Sequence, residues 1–251
     1  MINIDGDIGI YVIHAKQGYE IHERRLKKLF HAHDLHYELI TDGDTSLFST
    51  LNLEDYFTPD FISRIRPGTL SCTLNHIFAF SQVVKNKNKF AIIFENDPFF
   101  IGNFQKKITS VLNEAESLEP KFIISLENTT QKFPSFWDIK RGKVLYRASG
   151  SRCAGAYLID FAGAQAALNS LQTEKCNNVI DWWQNRLIER GILKMYWAHP
   201  VLVEQGSHNG LLCSSISSKQ KSIRRRILWN LQKIYKGYFR RLFPRDLIIK
   251  P

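Results

Sequence analysis

Glu95-Asn96-Asp97 is the segment of this sequence best suited to chemistry. Two carboxylates separated by one residue can both reach a divalent cation where the backbone turns. Hard oxygen ligands suit Mg²⁺ or Mn²⁺, and such ions keep open positions for substrate phosphates. The segment closes Phe90-Ala-Ile-Ile-Phe94, an apolar strand of the kind buried on both faces. Pro98 then prevents simple continuation in a central ladder. In open α/β sheets ligands sit beyond the carboxyl ends of strands, and Glu95 and Asp97 fall there. A solvated acidic turn would carry the same two residues; the position after a buried strand is what favours the metal.

The elements that must position this pair follow from hydrophobic periodicity. Ile8-Gly-Ile-Tyr-Val-Ile13 reads as a buried first strand, His22 to His33 as a helix with Leu26, Leu29 and Phe30 in phase, and Tyr37-Glu-Leu-Ile40 as a second strand. Thr41-Asp-Gly-Asp44 is a turn cluster. Strand, helix, strand is the opening unit of a parallel sheet. Arg66-Pro-Gly68 is a break before a helix over Thr69 to Lys85. Phe104 to Leu118 is helical, Lys121 to Leu126 a strand, and Glu127 to Ser151 a polar, aromatic, irregular loop suited to an active site. Gly155 to Ile159 is a strand, Ala162 to Leu171 and Val179 to Arg190 are helices, and Tyr196 to Val203 returns toward the sheet. The expected fold class is α/β, a mostly parallel twisted sheet flanked by helices.

Charge divides the chain in two. Residues 219–251 hold 11 Lys and Arg against the single acid Asp246, leaving 23 of the 34 bases and 23 of the 24 acids for residues 1–218. The expected organisation is a catalytic domain over 1–218 and a basic tail over 219–251. A neutral body argues against a nucleic-acid groove across the main domain. The N-terminus has acids where a signal peptide needs bases, and no apolar run approaches the roughly 20 residues that cross a bilayer. Cys72, Cys153, Cys176 and Cys213 form no C-x-x-C pair, and free thiols in a reducing compartment are the simplest account.

Several segments resemble glycosyltransferase family 25, the lipooligosaccharide galactosyltransferase family. Gly68-Thr-Leu-Ser-Cys-Thr-Leu-Asn-His76 resembles its "GELGCxLSH" segment, and Phe90-Ala-Ile-Ile-Phe-Glu-Asn-Asp97 its "YxLILEDD" strand. Ala156-Tyr-Leu-Ile159 with Gly163-Ala164, then Ile180-Asp181, His199 to Gln205 and Ser214-Ser-Ile216 follow in the family's order, so the likeness spans residues 8 to 218. Thr69, Ser71, Asn75 and Asn96 depart from the pattern at a usual Glu, Gly, Ser and Asp. Asn96 is the middle residue of E-x-D, so the departure leaves the expected metal pair, Glu95 and Asp97, unchanged.

The resemblance implies a GT-A-like fold, a UDP-sugar donor (commonly UDP-galactose) with Mn²⁺ or Mg²⁺, and transfer with inversion to a lipooligosaccharide sugar. UDP-glucose, UDP-N-acetylhexosamine and a non-catalytic protein that kept the fold are the alternatives. On this reading Glu95 and Asp97 hold the metal, and His14, Arg24, His76, Glu95, Asn96, Asp97 and Gln205 form the donor site. Asp181 matches the family's Asp and is the candidate general base, with Glu127 and Glu204 in reserve. Asp181 also fits as a helix N-terminal acid, His76 as a structural hydrogen-bonder, and Arg24 with Arg25 as a solvated helix face. Trp182 and Trp183 are suited to stacking on an acceptor sugar, or to the core.

In the tail, Ile223, Ile227, Leu231, Ile234, Tyr238 and Leu242 recur on one helix face. Arg224, Arg225, Arg226, Trp229, Lys233, Lys236, Arg240 and Arg241 supply bases and an interfacial aromatic. A basic amphipathic helix of this composition can lie in an anionic membrane surface, or dock its apolar stripe on the body. The expected location is cytoplasmic, peripheral at the inner face of the bacterial inner membrane, where a lipid-linked acceptor would be met.

Overall fold

The apolar runs form the centre of the computed structural model, which describes residues 8–209, 211–212 and 223–239. Strands β1 (Ile8–Ile13), β2 (Glu38–Ile40), β3 (Phe90–Glu95), β5 (Phe122–Ser125), β6 (Leu145–Ala148), β7 (Ala156–Asp160) and β8 (Lys194–Ala198) make one sheet, ordered β2-β1-β3-β7-β5-β8-β6. β1 pairs in parallel with β2 and β3, and β5 with β8; β7 and β6 run against their neighbours. Five of the seven strands therefore point one way, as expected of a mostly parallel sheet. A second ribbon pairs β4 (Pro98–Phe100) with β9 (Val203–Gln205).

Both faces of the sheet are covered, because alternate strand residues feed two cores. Ile10 and Val12 of β1, with Ile92 and Phe94 of β3, pack on Leu26 and Phe30 of α1 (Glu20–His31) and on Ile108 and Val111 of α4 (Phe104–Ala115). Tyr11, Ile13, Ala91 and Ile93 face the other way. They meet Leu74 and Ile77 of α3 (Pro67–Lys85), Ala164 and Ala167 of α5 (Phe161–Thr173), and Trp183 and Leu187 of α6 (Ile180–Glu189). The Pro of the expected break is the first residue of α3, where its missing N–H costs nothing.

The structure corrects the sequence reading in three places. The segment 127–151 is not wholly irregular: β6 closes the sheet edge within it. Its pattern is short and paired only on one side, which hides it from periodicity. Pro59–Arg64 forms a short helix, α2, capped by the Thr58 hydroxyl. Pro98 does end the central strand, but the chain at once re-forms as β4 in the ribbon with β9. A four-residue helix, α7 (Gly206–Asn209), follows that ribbon. The last described helix, α8 (Ile223–Ile234), continues as a wider turn over Tyr235–Phe239.

One carboxylate ties three elements together. Asp160 ends β7, caps α5 through the Gly163 N–H at 3.0 Å, and accepts the N–H groups of Lys121 and Phe122 at 2.9 and 2.8 Å. Replacing Asp160 with Ala removes a cap and leaves two N–H groups at the start of β5 without their acceptor. The expected cost is about 3 kcal/mol in urea unfolding, with Asp160→Asn losing less.

Candidate active site

The chain leaves β3 at Glu95 and turns through Asn96 and Asp97 at the carboxyl end of the sheet, on the floor of a cleft of about 340 Å³. Arg25 of α1 holds this turn. Its guanidinium donates to the Asn96 and Pro98 carbonyls at 2.9 and 2.7 Å and lies over the Phe99 ring. Asp97 is buried, and its Oδ2 accepts the Ser207 N–H at 2.8 Å, while its Oδ1 has no hydrogen-bond partner among the described residues. Burial, with the Glu95 charge beside it, pushes the Asp97 pKa up.

Glu95 is held from several sides. Gln205 Nε2 donates to its Oε2 at 2.9 Å, and Gln205 Oε1 accepts the Thr129 hydroxyl at 2.8 Å. The β4–β9 pairing sets Gln205 opposite Pro98, so the ribbon delivers this contact. On the other side His76 Nε2 stands 3.7 Å from Glu95 Oε1, and His76 Nδ1 meets the Tyr157 hydroxyl at 2.8 Å. Cys72 Sγ is 4.0 Å from the same Glu95 oxygen.

The helix α3 supplies one wall. Gly68, Ser71, Cys72 and Asn75 line the cleft at helical spacing, and His76 continues that face beneath Glu95. Asn75 Oδ1 takes the Gly43 N–H at 2.7 Å; a Cβ on Gly43 would come 2.9 Å from that oxygen. This contact seats the turn after β2, whose Asp44 lines the cleft. Asp44 accepts the N–H groups of Ser46 and Lys16 at 2.9 and 2.8 Å. Burial opposes its charge, but these bonds carry its pKa below the ordinary value.

The far wall is aromatic. His14, Tyr19 and His22 line it, with Tyr19 edge-on to His14 at 5.9 Å and 5.7 Å from His22. Burial lowers the His14 pKa, so its imidazole is neutral at physiological pH.

The structure thus brings His14, Glu95, Asn96 and Asp97 to one cleft, with Gln205 and His76 behind Glu95. Arg24 lies instead on the exposed face of α1 and does not line the cleft. Asp181, at the start of α6, is half-buried, bonds the Trp182 N–H at 3.0 Å and does not itself line the cleft. Burial, with Glu95 adding to it, raises its pKa. Trp182 is 65 % exposed beside it, whereas Trp183 is buried and stacked on Phe80, out of reach of an acceptor. Tyr19, His22, Asp44, Ser71 and Ser207 line the cleft and were not picked out in the sequence. Asp44 alone had a signal, since it follows β2 as Glu95 follows β3.

Glu127 is fully buried and does not line the cleft. Its Oε2 takes the Thr129 N–H at 2.6 Å, its Oε1 has no hydrogen-bond partner among the described residues, and burial pushes its pKa up to about 8. It is therefore protonated at neutral pH and unsuited to take a proton there. Glu204 is engaged by Lys233 of α8.

An acid-floored cleft beyond the carboxyl ends of a mostly parallel sheet, with an aromatic wall, lies where such sheets place their ligands. Residues 10–181 match the model of glycosyltransferase family 25 (LPS biosynthesis protein), and the chain belongs to that family. It is a glycosyltransferase, moving a sugar from a donor to an acceptor. Among solved structures it is similar to a mannose-1-phosphate geranyltransferase from Thermus thermophilus. The identity is 9 %, covering 82 % of this chain and 78 % of that one, with a TM-score of 0.40. It is also similar to mouse xyloside xylosyltransferase 1 in its apo form, at 12 % identity over 74 % and 83 % of the two chains and a TM-score of 0.37. No curated protein matches the chain.

Two substitutions test this geometry. A Cβ at Gly155 would overlap the Gln205 side chain, so Gly155→Ala displaces Gln205 from Glu95. Transfer should fall by at least about tenfold, and Gly155→Ala with Gln205→Ala should be no worse than Gln205→Ala alone, because both remove one contact. For Glu127, the folded pKa lies above the unfolded value, so its share of stability falls as pH rises from 4.5 to about 8. Glu127→Gln should flatten that slope in urea titrations at stepped pH and keep most activity at pH near 7.

Proposed function

We propose that the chain is an inverting, metal-dependent hexosyltransferase with a GT-A-like fold, taking a sugar from UDP to a lipooligosaccharide acceptor. Galactose is the first candidate. The observation that carries this reading is the buried Asp97 carboxylate, with Oδ1 unpartnered among the described residues and a second carboxylate beside it on the cleft floor.

Such a pair repels itself unless a cation joins it, and its oxygens suit Mn²⁺ or Mg²⁺. Glu95 and Asp97 would hold the ion, which when bound neutralises charge on the departing diphosphate. Cys72, His76 and Glu95 also offer ligand atoms within 4.8 Å of one another. Burial, then the nearby acids, keeps the Cys72 thiol protonated, which makes it a poor thiolate ligand and favours the oxygen pair.

The other residues divide the work. The His14, Tyr19 and His22 rings offer faces and edges to a nucleobase, and Asp44 retains lone pairs for ribose hydroxyls. Gln205 and His76 aim Glu95. Asp181 is the base: burial raises its pKa, which strengthens it as a proton acceptor. The acceptor hydroxyl gives its proton to Asp181 as its oxygen bonds the anomeric carbon, and the bond from that carbon to UDP breaks on the opposite face. A transition state with oxocarbenium character is expected. Trp182 presents an exposed ring to the acceptor sugar.

The test is a donor screen with and without Mn²⁺, using UDP-galactose, UDP-glucose and UDP-N-acetylhexosamines, beside calorimetry of UDP binding. Asp97→Ala should abolish transfer with the fold intact; turnover like the wild type would overturn the assignment. Asp97→Asn separates function from stability. A buried carboxylate whose pKa is raised costs the metal-free fold stability as pH rises through that pKa. The amide removes this cost while keeping the Ser207 bond. Its melting temperature should therefore rise by about 2–4 °C as Mn²⁺-dependent UDP binding is lost.

A further inference from the structure

The sequence leaves two uses open for the apolar face of α8, and the contacts of the helix bear on them. The side of α8 and of the turn after it that meets the body is the one bearing Trp229, Lys233 and Gly237. Gln131 Nε2 donates to the Trp229 carbonyl at 3.3 Å, Lys233 pairs with Glu204, and Gly237 lies against the Phe133 ring. The apolar stripe faces outward: Ile223, Ile227, Leu231, Ile234 and Tyr238 are 51–81 % exposed. Five bulky side chains on one helix face make a contiguous apolar patch of the sort that marks an interaction surface.

We infer that this outward face is an interfacial anchor that docks the enzyme on an anionic lipid bilayer, with the stripe in the acyl boundary and the bases against headgroups. Charge selects this occupant. Arg224 and Arg226 are exposed on α8, and residues 219–251 carry 11 bases and one acid. Anionic headgroups answer that charge, each base near the surface adding attraction. A second copy would bring the same cations against themselves. Nucleic acid would answer the charge but leave the aliphatic stripe in water. Among the described residues no helix is long and apolar enough to cross a membrane, so α8 lies in the surface.

The helix is also linked to the cleft floor at one remove, through β9. Lys233 holds Glu204, whose neighbour Gln205 holds Glu95. On the transfer reading above, docking would bring the enzyme to the surface that carries a lipid-linked acceptor. Only this last step rests on that reading; the docking itself does not.

The experiment is flotation of the full chain with phosphatidylcholine vesicles, with and without phosphatidylglycerol. The wild type should float with the anionic vesicles and stay behind with the neutral ones. Ile227→Asp with Leu231→Asp should cut the bound fraction by at least about tenfold, and Arg224→Glu with Arg226→Glu should weaken it and its salt dependence. Ile227→Leu should float like the wild type. Circular dichroism shows that each variant is folded, and a failure of the wild type to bind UDP in calorimetry would count against the donor reading alone. The inference is overturned if the wild type ignores anionic vesicles or if the double Asp variant floats equally. It is also overturned if light scattering finds a dimer that the double Asp variant dissolves, or if polyuridine RNA binds in preference to vesicles.

Discussion

Two carboxylates one residue apart at the end of a buried strand repel each other, and water cannot relieve them where Asp97 is buried. The surrounding fold can be understood as what holds that repulsion in place. Arg25 clamps the turn through the Asn96 and Pro98 carbonyls, so its cation is near Asp97 without being bonded to it. Ser207 and Gln205 supply neutral N–H donors to one oxygen of each acid. Neutral donors orient a carboxylate without cancelling its charge, so the cleft floor keeps its acidic character. A lysine in the place of Gln205 would cancel part of that charge.

Glu95 depends on contacts from distant parts of the chain. Its acid group is reached by α3 through His76 and Cys72, and by β9 through Gln205. The strand β9 is set by pairing with β4, which exists because Pro98 turns the chain out of the central ladder. One proline thus both ends the strand that carries the acids and starts the ribbon that orients one of them. The segment 68–76 works in the same way: it is a helix face on which Gly68, Ser71, Cys72 and Asn75 line the cleft. Of the four positions where this chain departs from the family pattern, Ser71, Asn75 and Asn96 line the cleft, and Thr69 does not.

The strands most legible from sequence are β1, β3, β5 and β7, whose continuous apolar runs have few other uses, and the edge strand β2 could be read from its place after the first helix. The edge strand β6 was not legible, since it is four residues long and paired on one side only. Among site residues, Glu95 and Asp97 could be found because their signal is local, a strand followed by acids. Tyr19, His22 and Ser207 could not, because nothing in their neighbours says that the start of α1 and the helix α7 converge on one cleft. Trp182 and Trp183 show the limit most clearly: adjacent residues of one type point about 100° apart on a helix, so one is exposed and one is core.

The buried polar groups outside the cleft follow a different logic from those on its floor. Arg152 is fully buried, with its guanidinium donating to the Ser125 and Ala198 carbonyls and lying over the Trp197 ring. Burial lowers its pKa to about 9, which still leaves it charged at neutral pH. Glu127 makes no ion pair with it among the described residues, and burial leaves that acid neutral. The cation is thus solvated by carbonyl dipoles and a π face, an arrangement that fixes where 125, 152 and 198 meet. Thr129, held by Glu127, in turn holds Gln205. A neutral acid away from the cleft thereby sets the position of the amide that aims Glu95, and the charged chemistry of the floor rests on groups kept uncharged behind it.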